Sequence, residues 1–288
     1  MTARSGGPTI VSHDMDVRAH DADGTPRRMG FFTDTSLCIG CKACEVACKE
    51  WNGVPDHGLT FTGTSYDNTT RLGANSWRHV AFIEQTRPLP MADVEAAGGA
   101  EGFRWLMSSD VCKHCSNAAC LDVCPTGALM RTEFGTVFVQ PDVCNGCGYC
   151  VAACPFGVIE RREGDGRAWK CTMCYDRQRL DMEPACAQAC PTKSIQYGEI
   201  GELTALADQR VETLHTRGVS QAHLYGRDRD DGVGGFGAFF LLLDEPEVYG
   251  MPPDPVATTR HLGEMWSAAA AAAAVMVASV AAAVWRGR

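Results

Sequence analysis

The sequence has no excess of basic residues and no stretch in which basic and aromatic residues are interleaved. Its 288 residues contain 26 Lys and Arg against 35 Asp and Glu, so the formal net charge is −9. A protein that binds nucleic acid needs a basic surface to neutralise phosphates. The charge balance therefore excludes a nucleic-acid partner.

A Gly-rich fingerprint for dinucleotides is also missing. Such a fingerprint follows a strand and opens a helix. The Gly-rich run at 232–237 has no helical pattern after it. We therefore expect neither NAD nor flavin as a cofactor.

The N-terminal region lacks a complete export signal. The pair Arg27-Arg28 faintly resembles a twin-arginine signal, but no apolar run of suitable length and no small-residue cleavage site follow it. Residues 1–30 are rich in Gly, Asp, Thr and Arg without periodicity, which predicts a mobile arm.

The residue present in abundance is Cys, and all 16 fall into four groups of four. From Cys144 the chain reads Cys-Asn-Gly-Cys-Gly-Tyr-Cys-Val-Ala-Ala-Cys-Pro, the spacing typical of bacterial ferredoxins. In that motif three thiolates bind one cluster and the fourth Cys binds the neighbouring cluster. Three groups end in Cys-Pro, whereas Lys49 follows the last Cys of the first group. The pattern predicts four [4Fe-4S] clusters.

Disulfides and zinc are the alternatives for so many Cys. An even count fits disulfides in a secreted chain, but Cys two residues apart seldom form useful bridges. Zinc usually takes two ligands from each of two knuckles, whereas three closely spaced Cys repeat here within single loops. The spacing disfavours both.

Because the fourth Cys crosses over, the order of the groups predicts two nested two-cluster modules. A strand, a turn at Gly135 and a second strand connect the second and third groups, which form the inner module. A cluster shared by Cys48 and Cys112 would contradict this nesting. The expected ligands are Cys38, Cys41, Cys44 and Cys190 (site 1); Cys112, Cys115, Cys120 and Cys154 (site 2); Cys144, Cys147, Cys150 and Cys124 (site 3); and Cys171, Cys174, Cys186 and Cys48 (site 4).

The predicted fold class is α+β, with the two ferredoxin-like modules followed by a C-terminal transmembrane helix. The four-cluster domain covers 31–200 and contains an insertion at 53–110, whose expected role is subunit contact. The insertion has strand patterns at 77–83 and 103–107 and a loop pattern at 88–102. Residues 201–255 are expected to form a capping segment and linker, with an amphipathic helix at 202–217 and a strand at 236–243.

Residues 266–285 form an uncharged stretch of Ser, Ala, Val and Met with Trp at both ends. Twenty helical residues span roughly 30 Å, enough to cross a bilayer, and Trp is typical of membrane interfaces. An Ala-rich soluble helix is the alternative. Arg286 and Arg288 favour a cytoplasmic C-terminus with the cluster domain on the extracytoplasmic side, although Arg260 precedes the helix.

Few other side chains suggest chemistry. His79 and His114 are expected to be packing or polar residues and not ligands. Lys170 stands beside Cys171, where its charge would raise a cluster potential, but an exposed Lys is the favoured interpretation. Clusters with four Cys ligands have no open iron position, so we expect electron transfer and no catalytic residue.

Four segments resemble the iron-sulfur (beta) subunit of membrane-bound formate dehydrogenases, a four-cluster subunit type of the molybdopterin oxidoreductases. The resemblance covers roughly residues 30–285. The segments are 34–52, including Lys-Glu-Trp-Asn after Cys48; Trp-Arg-His-Val at 77–80; Lys-Cys-Thr-Met-Cys-Tyr-Asp-Arg at 170–177; and Tyr-Gly-Met-Pro at 249–252.

The resemblance implies a subunit that carries electrons and is no enzyme on its own. A partner with a molybdenum or tungsten pterin would oxidise formate, and a membrane cytochrome b or quinone would receive the electrons. Without a signal of its own, the chain would be exported with a signal-bearing partner or stay inside. A nickel-iron hydrogenase subunit, a subunit of another molybdopterin enzyme and a free polyferredoxin remain alternatives.

Overall fold

The structure is a computed structural model that describes residues 27–56, 58, 61–63, 66–87 and 102–286. Residues 1–26 of the predicted arm and 88–101 of the predicted loop lie outside the described residues. The remaining residues of the predicted arm run into the first strand, which begins at Met29.

The described part of the chain is a mixture of short strands and helices, which confirms the α+β class. The strands are β1 (Met29–Asp34), β2 (Arg78–Arg87), β3 (Gly102–Val111), β4 (Leu129–Arg131), β5 (Val137–Val139), β6 (Glu160–Arg161), β7 (Ala168–Trp169), β8 (Ile195–Glu199), β9 (His223–Tyr225) and β10 (Ala238–Leu242). The α-helices are α1 (Ala43–Asn52), α2 (Ala119–Asp122), α3 (Tyr149–Ala153), α4 (Tyr175–Gln178), α5 (Ala185–Gln188), α6 (Ile200–Thr216) and α7 (Leu262–Arg286).

Each Cys group ends in the same local structure. The third Cys of the group is the second residue of a short helix, and this holds for Cys44, Cys120, Cys150 and Cys186. In three groups the next Cys precedes Pro, and a residue before Pro is disfavoured in helical conformation. The helices α2, α3 and α5 therefore end before their Cys-Pro step.

The first group differs because Lys49 replaces the Pro. The helix α1 continues for ten residues to Asn52 and ends at Gly53, which has a left-handed φ of 56°. Glycine takes this conformation without a steric penalty. The extra turn places Asn52 near two thiols, with Nδ2 3.7 Å from the Sγ atoms of Cys48 and Cys174.

A four-stranded sheet with the order β8-β1-β10-β9 joins distant parts of the chain. β1 is parallel to β10 and antiparallel to β8. Phe31, Phe32 and Phe240 are fully buried on these strands. Because β1 precedes the first Cys group and β8 follows the fourth, their pairing brings those two groups together. α1 also packs against α5 of the fourth group.

Three hairpins complete the cluster domain. β2 and β3 pair along ten residues, from Arg78 opposite Val111 to Arg87 opposite Gly102. The strands predicted at 77–83 and 103–107 are confirmed, and both are longer than the apolar patterns indicate. β4 pairs with β5 around the predicted turn, and β6 pairs with β7.

The helix predicted at 202–217 is confirmed as α6, with Leu203, Ala207 and Leu214 buried. The strand predicted at 236–243 is confirmed as β10 and is fully buried. The predicted membrane segment lies in α7, whose 25 residues are exposed throughout and contain an 18-residue window with a mean hydropathy of 2.0. Its length and composition suffice to span a bilayer.

Candidate metal centres

Three cavities are each lined by four Cys, and each set of four contains the residues expected for one site. Each set combines three Cys of one sequence group with the crossover Cys of another. The cavities contain Cys38, Cys41, Cys44 and Cys190 (site 1); Cys112, Cys115, Cys120 and Cys154 (site 2); and Cys48, Cys171, Cys174 and Cys186 (site 4).

The remaining four Cys lie together at site 3. Cys150 is buried, and burial first, then the charges of Cys144, Cys147 and Cys124, raise its pKa to about 11. Cys124, Cys144 and Cys150 also belong to one small apolar cluster, which includes Cys115, Cys120 and Cys154 of site 2. The structure thus brings Cys124 to the third group and does not leave it with the second.

Backbone amides point at several of these sulfurs. At Cys154, the pKa is raised by burial, and the amides of Val158, Phe156 and Gly157 partly offset that rise by hydrogen bonding. The amide of Met173 donates to Cys171 Sγ at 3.2 Å. Amide donors that stabilise anionic sulfur are typical surroundings of iron-sulfur clusters. The all-sulfur ligand sets and these donors fit [4Fe-4S] clusters.

Gly40 shows how closely the backbone approaches at site 1. Its φ is +66°, and a Cβ there would lie 2.7 Å from the Phe82 ring and 2.8 Å from Met107 Sδ. Its amide donates a hydrogen bond to Cys38, whose pKa is raised by burial despite that bond. The backbone therefore approaches site 1 closely at Gly40.

Electrostatic interactions between thiols of different sites indicate the order of the sites. In three cases a thiol pKa is raised chiefly by burial and further by a thiolate of another site, which must lie nearby. The pairs are Cys44 with Cys186 (sites 1 and 4), Cys171 with Cys112 (sites 4 and 2), and Cys120 with Cys150 (sites 2 and 3). The sites therefore follow one another as 1, 4, 2, 3.

The two ends of this series differ from its middle. Cys41 of site 1 and Cys147 of site 3 are exposed, whereas all four thiols of site 4 are buried. The segment that leads to α7 lies beside the loop shared by sites 2 and 3, because Thr259 Oγ1 donates to Asp122 Oδ2 at 2.6 Å and Asp122 is also two residues from Cys120 of site 2. Asp122 stands two residues from Cys124 of site 3. The chain thus enters α7 from the part of the domain that holds sites 2 and 3.

Among the described residues, several buried cations lie beside the sites, and three of them flank or contact a ligand Cys directly. Lys170 is 2 % exposed, and its Nζ donates to Val137 O at 2.5 Å and to Cys171 O at 2.9 Å. The expectation that Lys170 is exposed is therefore wrong. Lys113 is also buried and forms an ion pair with Asp110. Arg78 is the third, and its guanidinium lies 3.4 Å from Cys186 Sγ.

The two His residues have local partners. Burial lowers the pKa of His114 well below its ordinary value, and its Nδ1 accepts a hydrogen bond from the Val137 amide at 3.1 Å. His79 Nε2 lies 2.5 Å from Asp67 Oδ2. Both roles agree with the expectation of packing or polar residues.

Comparisons with known proteins agree with the prediction of iron-sulfur clusters. Models described as "4Fe-4S dicluster domain" match residues 37–128 and 103–200. The nitrate-inducible formate dehydrogenase iron-sulfur subunit of Escherichia coli is 42% identical over 226 residues, which are 77% of this chain and 71% of that protein. The formate dehydrogenase-O iron-sulfur subunit of the same organism is 40% identical over 255 residues, 86% of this chain and 80% of that protein. The chain belongs to the formate dehydrogenase iron-sulfur subunit family.

A more distant relative is a subunit of the anaerobic dimethyl sulfoxide reductase of Escherichia coli. It is 34% identical over 174 residues, 60% of this chain and 75% of that protein. The two dicluster matches together account for four [4Fe-4S] clusters, in agreement with the 16 Cys.

In this member of the formate dehydrogenase iron-sulfur subunit family, the sequence does not predict that two further residues lie beside site 4. Asn52 and Arg78 both lie in segments that carry the family resemblance, at 34–52 and 77–80. Neither belongs to a ligand motif, and the sequence offers no signal that they meet at the same site. The packing of α1 beside the start of β2 becomes visible only in the folded chain.

Proposed function

We propose that this chain relays electrons singly through four [4Fe-4S] clusters. The donor is a molybdenum- or tungsten-pterin subunit that oxidises formate, and the acceptor is a membrane cytochrome b or quinone. The observation that supports this most directly is the series of four sulfur-lined sites, which runs from exposed Cys41 to a site beside the start of α7. The formate assignment rests on the relatives named above.

Each site holds one cluster in this proposal, with the crossover ligand sets of sites 1 to 4. The clusters accept and release electrons, while the chain supplies the thiolates and shields the inner clusters from solvent. Four thiolates fill the coordination of a cubane cluster with no iron position left for a substrate. The chain therefore has no catalytic activity of its own, and formate reacts only on the partner.

The direction of electron transfer follows from what lies at each end of the series of sites. α7 anchors the chain in the membrane in a single pass, so the site nearest its start delivers electrons to the membrane acceptor. Sites 2 and 3 lie on this side of the domain, and site 3, the terminal one of the two, is the proposed exit, while site 1 at the other end receives electrons from the catalytic subunit. Sites 4 and 2 lie between them and exchange electrons only with neighbouring clusters.

The insertion at 53–110 is the proposed contact with the catalytic subunit. Its β2–β3 hairpin lies beside site 1, since Phe82 contacts the Gly40 position. The hairpin leaves Phe103 and Trp105 exposed, and Tyr66 packs on Trp105 with the ring centroids 5.2 Å apart. Exposed aromatic groups of this kind are typical of protein interfaces.

The positive-inside tendency supports an extracytoplasmic cluster domain, because Arg286 ends α7 on the opposite side. In this orientation the C-terminal end of α7 lies in the cytoplasm. A reporter that is active only in the cytoplasm, fused after Arg288, is expected to be active in intact cells.

The complex should be purified without oxygen through a tag on this chain and then mixed with formate. We expect the paramagnetic signals of reduced [4Fe-4S] clusters to appear, with molybdenum or tungsten and about 16 irons per chain in the metal analysis. Dithionite serves as the positive control because it reduces the clusters without the partner's active site.

If dithionite reduces the clusters and formate does not, the result would contradict the proposed donor. Nickel in place of molybdenum or tungsten would assign the chain to a hydrogenase. Iron alone, without a large partner, would leave a free electron carrier. Zinc without visible iron-sulfur absorption would exclude electron transfer altogether.

A further inference from the structure

Arg78 is a fully buried cation without a carboxylate partner among the described residues. It opens β2, and its side chain is 2 % exposed. Its Nη1 donates to Ser109 O at 3.0 Å and its Nη2 to Cys186 Sγ at 3.4 Å, while the guanidinium lies 4.9 Å from the Phe31 ring centroid. Its Nε has no hydrogen-bond partner.

The negative groups that act most strongly on this guanidinium belong to two cluster sites. Nη2 lies against Cys186 Sγ, and Nη1 donates to the carbonyl of Ser109, whose hydroxyl lies 3.2 Å from Cys44 Sγ. Burial lowers the pKa of Arg78, and the thiolates of Cys186, Cys44 and Cys171 together raise it above its ordinary value. Cys44 belongs to site 1 and Cys186 to site 4. Arg78 therefore lies between two sites that are neighbours in the series.

Burying an unpaired charge is costly unless an opposite charge compensates it. Lys113 beside the sites pairs with the carboxylate of Asp110. Lys170 donates to two neutral carbonyl oxygens, whereas Arg78 donates directly to a ligand thiol. For Arg78 the compensating charge is that of the thiolate-ligated clusters themselves. Its charge therefore acts on the clusters without being neutralised by a carboxylate.

We propose that Arg78 is a positioning residue that sets the reduction potentials of the clusters at sites 1 and 4. This inference rests on the proposed function only in placing clusters at those two sites. A reduced cluster has gained one electron, with no bond formed or broken, and carries one more negative charge than the oxidised cluster. A fixed positive charge beside it stabilises the reduced form more than the oxidised form and raises the potential.

The position between two sites gives the charge a second consequence. When one electron occupies site 1 or site 4, the same guanidinium stabilises it in either place. Electron exchange between the two clusters then occurs between sites of similar electrostatic surroundings, although site 4 is buried and site 1 is partly exposed. The removal of Arg78 affects the buried site 4 more strongly, because solvent compensates least there.

The test is a redox titration with mediators and dithionite, followed by electron paramagnetic resonance, on the anaerobically purified complex carrying Arg78→Gln. Arg78→Lys keeps the charge, and Arg78→Met is a second neutral variant. Arg104→Gln is the matched control, since Arg104 lies on the same hairpin but pairs with Asp244 at 3.1 Å. The titration uses no formate, so it gives a result even where the proposed donor is wrong.

In Arg78→Gln we expect the reduction equilibrium constant of at least one cluster to fall tenfold or more, which is about 59 mV for one electron. Arg78→Lys should recover most of this loss, and Arg104→Gln should leave all four potentials unchanged. Four unchanged potentials in Arg78→Gln would overturn the inference, as would an equal fall in Arg78→Lys. If the Arg78→Gln complex lacks a cluster, the potentials are measured in Arg78→Met instead. Loss of the same cluster from both variants would overturn the inference, because it would show that Arg78 acts in cluster assembly and not on the reduction potential.

Discussion

The thiols determine how the folded chain depends on iron. Burial raises the pKa of Cys44 and Cys174 to about 11, so a free thiolate at either position is unfavourable near neutral pH. Cluster ligation requires the thiolates, and the positive charge of iron compensates them. Loading of the clusters and formation of the domain are therefore coupled, as in other small metal-binding domains.

The crossover ligand sets can be tested with paired Cys variants. Cys48→Ala with Cys186→Ala removes two ligands of site 4, so we expect the loss of one cluster, about 12 irons per chain and three unaltered paramagnetic signals. Cys48→Ala with Cys44→Ala is the matched control, because the two changes fall in one sequence group but in two sites. It should disturb two clusters. The reverse result would show that each sequence group binds its own cluster.

At this scale the sequence predicts the ligands but not their charged surroundings. All 16 Cys follow from spacing, because ligand spacing is local and carries the chemistry directly. The sequence favours an exposed Lys170, which is buried in the structure, and it gives no expectation at all for Arg78. Burial of a cation depends on which distant elements cover it, and a single sequence does not contain that information.

At the scale of elements, an ion pair that the sequence does not predict connects α6 to β1. Asp34 is fully buried, and its Oδ2 accepts from Arg210 Nε at 2.8 Å. The other carboxylate oxygen accepts from the Ser36 amide at 2.9 Å. Arg210→Met leaves the buried carboxylate without its cation, which costs about 3–5 kcal/mol. We expect Tm, followed by loss of iron-sulfur absorbance, to fall by roughly 6–20 °C.

The control for this prediction is Arg227→Met. Arg227 forms an ion pair of the same length, 2.8 Å, with Asp208 of α6, but both side chains are about half exposed. An exposed pair contributes about 0–1 kcal/mol, so Tm should change little. Equal shifts of Tm in the two variants would show that the buried pair stabilises the packing of α6 on the sheet no more than the exposed pair does.

The elements themselves are largely predictable, whereas their assembly is not. Apolar patterns locate β2, β3, β10 and α6 within a few residues. The four-stranded sheet is not predicted, because β1 and β10 lie about two hundred residues apart and the short strand patterns do not specify their neighbours. The nesting of the Cys groups is predictable only because the crossover rule supplies a long-range constraint.

On the scale of the whole molecule, the proposed function makes α7 the connection between the cluster domain and the membrane, since α7 is long and apolar enough to span it. Ala274→Arg places a charge near the centre of this helix and costs about 2.5–3.5 kcal/mol for insertion. We expect most of the chain to be extracted by a carbonate wash of the membranes. Ser267→Arg adds the same charge near the end of the helix, where the long side chain reaches the interface, and should leave the chain in the membrane. Equal retention of both variants would argue against a spanning helix.

The order of the sites predicts which clusters formate can reduce. The rate of electron tunnelling falls steeply with distance, so electrons pass mainly between neighbouring clusters. Cys171→Ala with Cys186→Ala removes the cluster of site 4 and interrupts the series after site 1. Formate should then reduce the cluster of site 1 alone, whereas dithionite with mediators should reduce all three that remain. Cys144→Ala with Cys147→Ala removes site 3 instead, so formate should reduce the other three clusters while quinone reduction is lost. An iron content of about 12 per chain in both variants would show that the remaining clusters are intact. Reduction of sites 2 and 3 by formate in the absence of site 4 would contradict the order 1, 4, 2, 3, because electrons would then reach site 2 by another route.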